Sequence, residues 1–451
     1  MGRVALIGEN SIELIHILID IWNSGDCAVL IDWRIPFQTA VEMMKEACVY
    51  KCYIEKKQFD KVDNHFSSGI DVITFIKEGS SAEYLPDVIY KKFRENYAQN
   101  EALVLFSSGT TGKAKGIILT HYAINTNADA IIQYAMLEKG DCFYIAKSLA
   151  HSSTIVGELL VCLKTGTKAV IAETVMHPRF ILKKICELKV SILCVNPILL
   201  SLLTNEFSSK KYHVKLKKIY TSGSILDKNV LKKAEQVFQN IPILNVYGLS
   251  EAGPRVSAQT LSCKTENSVG KPIRGVEVQI RSPNEDILGA NIIGLVFVKT
   301  CSMFTGYVNQ TPCFIEQEGW FNTHDLGYID EQGELFIVGR ADDLIISGAH
   351  KIYPSDIETI VLSYEHIREC VVFGVPNERY GEIIVCIYQP ERPINRLDLV
   401  RFCEKYLSSY EIPSKWVTVS EALPKYNGKI SRKKIREDYL KRKENLDGYK
   451  K

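Results

Sequence analysis

The 451-residue chain is short of several features that mark whole classes of function. It has no surplus charge. Fifty-five Lys and Arg face 53 Asp and Glu, a net of +2, so there is no basic field to hold nucleic acid. Its 13 cysteines include no Cys-x-x-Cys pair, and the closest two, Cys48 and Cys52, stand four apart. Nothing therefore points to a zinc knuckle or a disulfide frame, and buried reduced thiols are expected. No long apolar run opens the chain either, because Glu9, Glu13, His16 and Asp20 interrupt residues 1–22. That pattern argues against a signal peptide or a spanning helix and leads us to expect a cytoplasmic protein with no membrane partner.

What is present is apolar material for two or three domains, 46% of the chain. A strand at 4–7 leads to an Asn10-Ser11 cap, then to a helix with Ile12, Ile15, Ile19 and Trp22 on one face, stopped at Gly25. A strand at 28–31, a helix at 36–47 and a strand at 50–54 follow. Such alternation with short connections predicts a parallel α/β layer. Residues 56–100 are polar and weakly periodic and yield no reading. The alternation resumes with a helix at 122–136, strands at 142–145, 168–172, 191–195, 217–221 and 243–246, and a helix at 178–188. Glycines at 270, 275, 289, 294 and 306 then punctuate a β-rich stretch, which predicts a small antiparallel subdomain. The last hundred or so residues read as an α+β unit, whose first helix would open at the capping box Ser355-Asp356-Ile357-Glu358.

The segment Phe106-Ser107-Ser108-Gly109-Thr110-Thr111-Gly112-Lys113-Ala114-Lys115-Gly116 holds three glycines, four hydroxyls and two lysines between two apolar runs. Glycines let backbone wrap closely, hydroxyls and N–H groups donate to phosphate oxygens, and lysines neutralise them. The spacing is not that of a Walker loop: only two residues separate Gly109 from Gly112, Ala follows Lys113, and the next segment reads as a strand. Farther on, Ser222-Gly223-Ser224 ends a strand, where a flat ring can approach backbone. The run Tyr247-Gly248-Leu249-Ser250-Glu251-Ala252-Gly253 supplies an aromatic face for a purine, a hydroxyl for a phosphate oxygen and a carboxylate suited to Mg²⁺. A turn could contain either set without a ligand.

Together these stretches resemble the signatures of the adenylate-forming superfamily: acyl-CoA synthetases, aryl-acid ligases, peptide-synthetase adenylation domains and luciferases. Trp320-Phe321-Asn322-Thr323-His324-Asp325-Leu326-Gly327, Gly339-Arg340-Ala341-Asp342 and Pro424-Lys425-Tyr426-Asn427-Gly428-Lys429-Ile430-Ser431-Arg432 complete five motifs in family order. The departures are Ala114 for a usual proline, Ser107, His324 for a usual glycine, and very few residues before Gly8-Glu9-Asn10-Ser11-Ile12-Glu13. The resemblance implies an α/β fold: a large N-terminal domain of α/β subdomains with a small β-rich subdomain (1–341), plus a mobile α+β C-terminal domain (342–451).

It also implies site roles. Ser107, Ser108, Gly109, Thr110, Thr111, Gly112, Lys113 and Lys115 would hold the ATP phosphates. Gly223, Ser224, Tyr247 and Gly248 would take adenine, Ser250 the α-phosphate and Glu251 Mg²⁺. Asp325 and Arg340 would bind ribose or phosphate, and His151 would line the carboxylate pocket, although a lone loop histidine is more often structural. Lys429 would bridge the attacking carboxylate and the α-phosphate. Asp342 would be the hinge and Gly348 would line a pantetheine tunnel.

The implied reaction joins ATP and a small carboxylic acid into acyl-AMP with loss of pyrophosphate, then transfers the acyl group to a phosphopantetheine thiol of CoA or a carrier protein. No aspartate stands between Ser148 and Gly157 to hold an amino acid's ammonium group. Ser152-Ser153-Thr154 favours a small aryl acid, such as a dihydroxybenzoate loaded onto a carrier protein for a siderophore. An acyl- or aryl-CoA ligase is the close rival, and a non-catalytic nucleotide-binding relic is the rival of another class.

Overall fold

The computed structural model describes residues 2–60, 69–77, 82–84, 99–108, 114–173, 176–209, 212–310, 317–347, 350–377, 379–426 and 429–448. Two large sheets dominate. The first has seven strands, with Arg3–Ile7 parallel to both Cys27–Ile31 and Val49–Glu55, and the hairpin Glu101–Ser108/Ala114–Thr120 beside Cys27–Ile31. The second has eight, with Cys142–Ile145, Ile192–Val195, Lys218–Thr221 and Ile243–Gly248 running parallel through its centre.

The main apolar core lies between these sheets. It joins Leu6, Leu30 and Leu105 of the first to Ile145, Cys194 and Val246 of the second, through Ile15, Leu18, Ile124, Ile131 and Leu159 of the intervening helices. Alternate strand residues face away: Ile192 and Cys194 point into this core, Leu193 and Val195 into a second one. Strands covered on both faces read as continuous apolar runs, which is why the sequence located them well. Helix Ile12–Asn23 begins as expected, with the Ser11 hydroxyl accepting from the Leu14 N–H.

The unread stretch contains the strand Asp71–Phe75, parallel to Val49–Glu55. It lies at the sheet edge and is largely exposed, so it carries no apolar alternation. The β-rich stretch is a four-stranded antiparallel sheet of Val276–Arg281, Gly294–Thr300, Phe321–Ile329 and Leu335–Arg340. Beyond the turn Ala341–Asp343, strands Ile345–Ser347, Ile367–Asn377, Gly381–Pro390 and Lys415–Thr418 build a separate sheet. Helix Pro354–Ser363 packs against it.

The capping box expected at Ser355 is absent. That helix starts at Pro354 with no side-chain cap. Ser355 Oγ instead donates to the Val338 carbonyl at 2.9 Å, and Glu358 is taken by Arg432. Tertiary partners outcompete the local cap.

Candidate active site

The hairpin Glu101–Ser108/Ala114–Thr120 pairs Ser108 with Ala114 and Ser107 with Lys115. Its tip, with Gly109, Thr110, Thr111, Gly112 and Lys113, lies outside the described residues, as do the side chains of Ser107 and Ser108. Lys115 is described. Its ammonium stands 5.0 Å from the centre of the Tyr307 ring, and the Tyr307 hydroxyl donates to Glu251 Oε1 at 3.0 Å. One tyrosine thus joins the phosphate-loop lysine to the carboxylate expected to meet magnesium. Tyr307 reaches this place because Gly306–Tyr307 pairs with Ala114–Thr120. Sequence reasoning missed it, since no motif surrounds it. Burial pushes the Glu251 carboxyl above its ordinary range, while the Tyr307 hydrogen bond pulls it back. The carboxylate has lone pairs left for a cation, so the residues fit one.

The second cluster joins three strands. The Tyr247 hydroxyl, from Ile243–Gly248, donates to Asp325 Oδ2. Arg340 Nη1 donates to Asp325 Oδ1 and to the Thr323 carbonyl, both at 3.1 Å. Asp325 and Arg340 are register partners in neighbouring antiparallel strands, which sets their approach. Burial and the adjacent Asp325 push the Tyr247 phenol far up, so it stays a neutral donor at neutral pH. The sequence assigned Tyr247 an aromatic face; its hydroxyl also fixes the acidic residue expected at the ribose. His324, in place of the usual glycine, takes φ +58°, the left-handed region costly for a side chain. Its Nδ1 lies 3.9 Å from Asp342, which also sits 3.6 Å from Arg340.

The turn carrying Ser250 and Glu251 is pinned from behind. Asn127 Nδ2 donates to the carbonyls of Ala252 and Arg255 at 3.3 and 2.9 Å, and its oxygen accepts from the Arg255 N–H at 2.9 Å. Gly248 is required by close approach, since a Cβ there would fall 1.9 Å from the Pro254 carbonyl oxygen. Gly223, at φ +101°, and Ser224 form an exposed turn after Lys218–Thr221. Ser250 Oγ lies 2.8 Å from Ser152 Oγ, bringing the His151 segment to this turn.

His151 is half-buried, with Nε2 3.9 Å from Asp32 Oδ2. Asp32 is itself gripped by Arg34 through bonds of 2.8 and 2.6 Å. Burial pushes the Asp32 carboxyl up, but the guanidinium outweighs it and holds the group below its ordinary range. No sequence signal marked Asp32 or Arg34 as neighbours of His151.

The remaining expected residues lie on the small sheet. Lys429 belongs to a two-stranded ladder, Lys425–Tyr426 with Lys429–Ile430; its side chain, like Gly348, lies outside the described atoms. Three residues on, Arg432 reaches three separate segments: Asp343 beside the expected hinge, Glu358 at 2.8 Å, and the Val372 carbonyl at 2.9 Å.

Among the described residues, no three His, Cys, Asp or Glu side chains gather as a metal site. A cation shared between one carboxylate and substrate phosphates needs no such group. Among the described residues, no helix is long and apolar enough to cross a membrane.

The profile of AMP-binding enzymes matches residues 2–308, and that of the AMP-binding enzyme C-terminal domain matches residues 356–429. A 2-succinylbenzoate–CoA ligase of Bacillus cereus is 28% identical over 444 residues, covering 96% of this chain and 88% of the relative. Among solved structures, ATP-bound MatB from Rhodopseudomonas palustris aligns with a TM-score of 0.83 at 20% identity, over 97% of this chain and 88% of that one. O-succinylbenzoate coenzyme A synthetase from Bacillus subtilis, in complex with ATP and magnesium ion, aligns at 0.81 and 20% identity, over 97% and 89%.

Proposed function

The chain belongs to the AMP-binding enzyme family, the AMP-forming acid–thiol ligases, and from that premise we propose that it activates an acyl or aryl acid with ATP and passes it to CoA. The observation that carries this reading is the convergence of Lys115, Tyr307 and Glu251 on one side and Tyr247, Asp325 and Arg340 on the other. The first set suits phosphate and a divalent cation; the second suits a purine nucleoside's ring and its hydroxyls.

Asp325, already fixed by two donors, keeps lone pairs for the ribose hydroxyls. Lys115 and the adjoining hydroxyl loop neutralise the departing pyrophosphate, and Glu251 is the carboxylate for Mg²⁺. Bound there, Mg²⁺ would supply charge neutralisation on phosphate oxygens. Lys429 stabilises charge building on the α-phosphate as the acid's carboxylate attacks, so catalysis is mainly positioning and electrostatics. We place the domain boundary at 341/342, with the small domain rotating about Asp342 to bring the Gly348 loop to the thioester step. CoA is preferred over a carrier protein as acceptor because the relatives named above are CoA ligases or synthetases. The siderophore carrier-protein reading gains no such support.

Carboxylate-dependent exchange of pyrophosphate into ATP, run over benzoates, fatty acids and amino acids, tests the first step. We expect exchange with an acyl or aryl acid and none with amino acids, followed by thioester on CoA and not on a phosphopantetheinylated carrier. A folded protein that binds ATP yet exchanges with no acid would instead be the nucleotide-binding relic.

A further inference from the structure

Behind the Ser250 turn lies a group of buried charges that the reaction above leaves unused. Arg255, on strand Arg255–Ala258, is only 4% exposed. Its backbone is clamped on both sides by Asn127, so its side chain leaves the strand from a fixed base. The guanidinium lies against the helical segment Ile155–Leu160, which has π-type geometry, a form frequent at functional sites. A Cβ built on Gly157 would come 3.3 Å from Arg255 Nη2, so this stretch meets the guanidinium with bare backbone.

Three charges share the region. Glu158 is fully buried, and its partner is Lys147, with Nζ 3.0 Å from Oε1. That pair is internally neutral. It also explains why the carboxylate just past the segment expected to hold an amino acid's ammonium group is not free for that task. Arg255 acts on that carboxylate only through space, so the three groups together keep one net positive charge. Among the described residues no carboxylate lies within ion-pair distance of Arg255, its Nε has no hydrogen-bond partner, and its side-chain hydrogen bond goes to the neutral phenol of Tyr134. A buried guanidinium with a neutral partner and an idle donor carries a desolvation cost that an anion would offset.

The position of this charge relative to the reacting centre follows from the helix. Ser152 Oγ touches Ser250 Oγ beside Glu251, and Gly157 lies five residues farther along the same helical segment. At about 1.5 Å per residue, Gly157 and the guanidinium beside it are set roughly 7 Å along the segment from Ser152, the residue that meets the Ser250 turn.

We propose that Arg255 is a specificity residue that receives a second carboxylate of the acid, set roughly 7 Å from the carboxyl that is adenylated. The substrate class is thus a dicarboxylic acid, aliphatic or aryl, whose far carboxylate stays ionised through the reaction. This rests on the ligase reading above and narrows its substrate.

The test is pyrophosphate exchange with matched acids: hexanedioate against its monomethyl ester, and benzene-1,4-dicarboxylate against 4-methylbenzoate. Each diacid should exceed its single-charged partner in kcat/KM by about 30-fold, the range of one charge-assisted hydrogen-bonded contact. Arg255→Gln should bring that ratio close to one, mainly through a rise in KM for the diacid, and Arg255→Lys should restore part of it. Equal use of diacid and monoester by the parent enzyme would overturn the assignment while leaving the ligase reading intact, and needs no variant to fold. A diacid preference that survives Arg255→Gln unchanged would overturn it too. No exchange with any acid would overturn both readings.

Discussion

The large and small domains hold their expected site residues in opposite ways. In the large domain the two expected carboxylates are fixed by partners from different elements: Tyr247 and Arg340 grip Asp325 from two strands, and Tyr307 grips Glu251 from a third. Among the described residues of the small domain, the Lys429 strand pairs only with Lys425–Tyr426, and that two-stranded ladder joins no other sheet. Its neighbour Arg432 carries the connection, tying the segment to Asp343, Glu358 and Val372. The difference matches the proposed division of labour, in which the large domain would wait and the small one would travel. A nucleotide pocket gains from donors that need no rearrangement. On the proposed mechanism Lys429 arrives and leaves, a task suited to a short ladder anchored through its neighbour.

Breaking the large-domain side should have the larger effect. Asp325→Asn removes the anion from between Tyr247 and Arg340. Two charge-assisted contacts weaken together, so KM for ATP in exchange should rise by about 10- to 100-fold with the fold intact. An unchanged KM would show that this cluster is only structural.

On the small-domain side, Arg432→Met leaves Glu358 and Asp343 without their cation. Burial already pushes the Glu358 carboxyl up against the opposing pull of Arg432. Loss of about 3 kcal/mol from the small domain is expected, read as a lower first transition on denaturant unfolding monitored by hydrogen exchange. A single transition at the parent's midpoint would remove Arg432 from its anchoring role.

A pH scan sharpens the contrast, because a titrating histidine is packed deep in the large domain. Burial lowers His121 from its ordinary 6.5 to about 4. Between those values the unfolded chain takes the proton and the folded one does not. Stability is therefore full above about pH 6.5 and falls as pH drops towards 4, by about 3 kcal/mol at most from this group. His121→Gln should flatten that part of the profile; an unaltered slope would assign it elsewhere.

The smallest effect is expected where the two domains meet. His324→Gly relieves a left-handed side-chain residue, while glycine gives part of that back through unfolded-state entropy. A net gain of roughly 0.5–1 kcal/mol is expected, measured as a higher unfolding midpoint. A loss would mean that the approach of His324 to Asp342 outweighs the strain.

Much of the fold was legible because its central strands are buried on both faces and its first helix carries a local cap. The edge strand Asp71–Phe75 was not, since an exposed strand has no apolar pattern to show. Ser355 misled for the opposite reason: its local pattern was complete, but distant partners took both side chains. At the site, the motif-borne residues could be named in advance. Tyr307 and Asp32 could not, because each makes its contact far away in sequence and sits among residues that form no motif; Arg255 follows a motif closely, but the residues it meets are equally distant in sequence.

The central claim is that a nucleotide is held by the large domain while a lysine of the small domain serves the reacting phosphorus. Lys429→Ala tests it most directly, with ATP binding followed by calorimetry and acid-dependent pyrophosphate exchange measured on the same sample. The account predicts ATP binding close to the parent's and exchange reduced by about 10²-fold or more. Exchange at the parent's rate in a folded, magnesium-replete variant would contradict it.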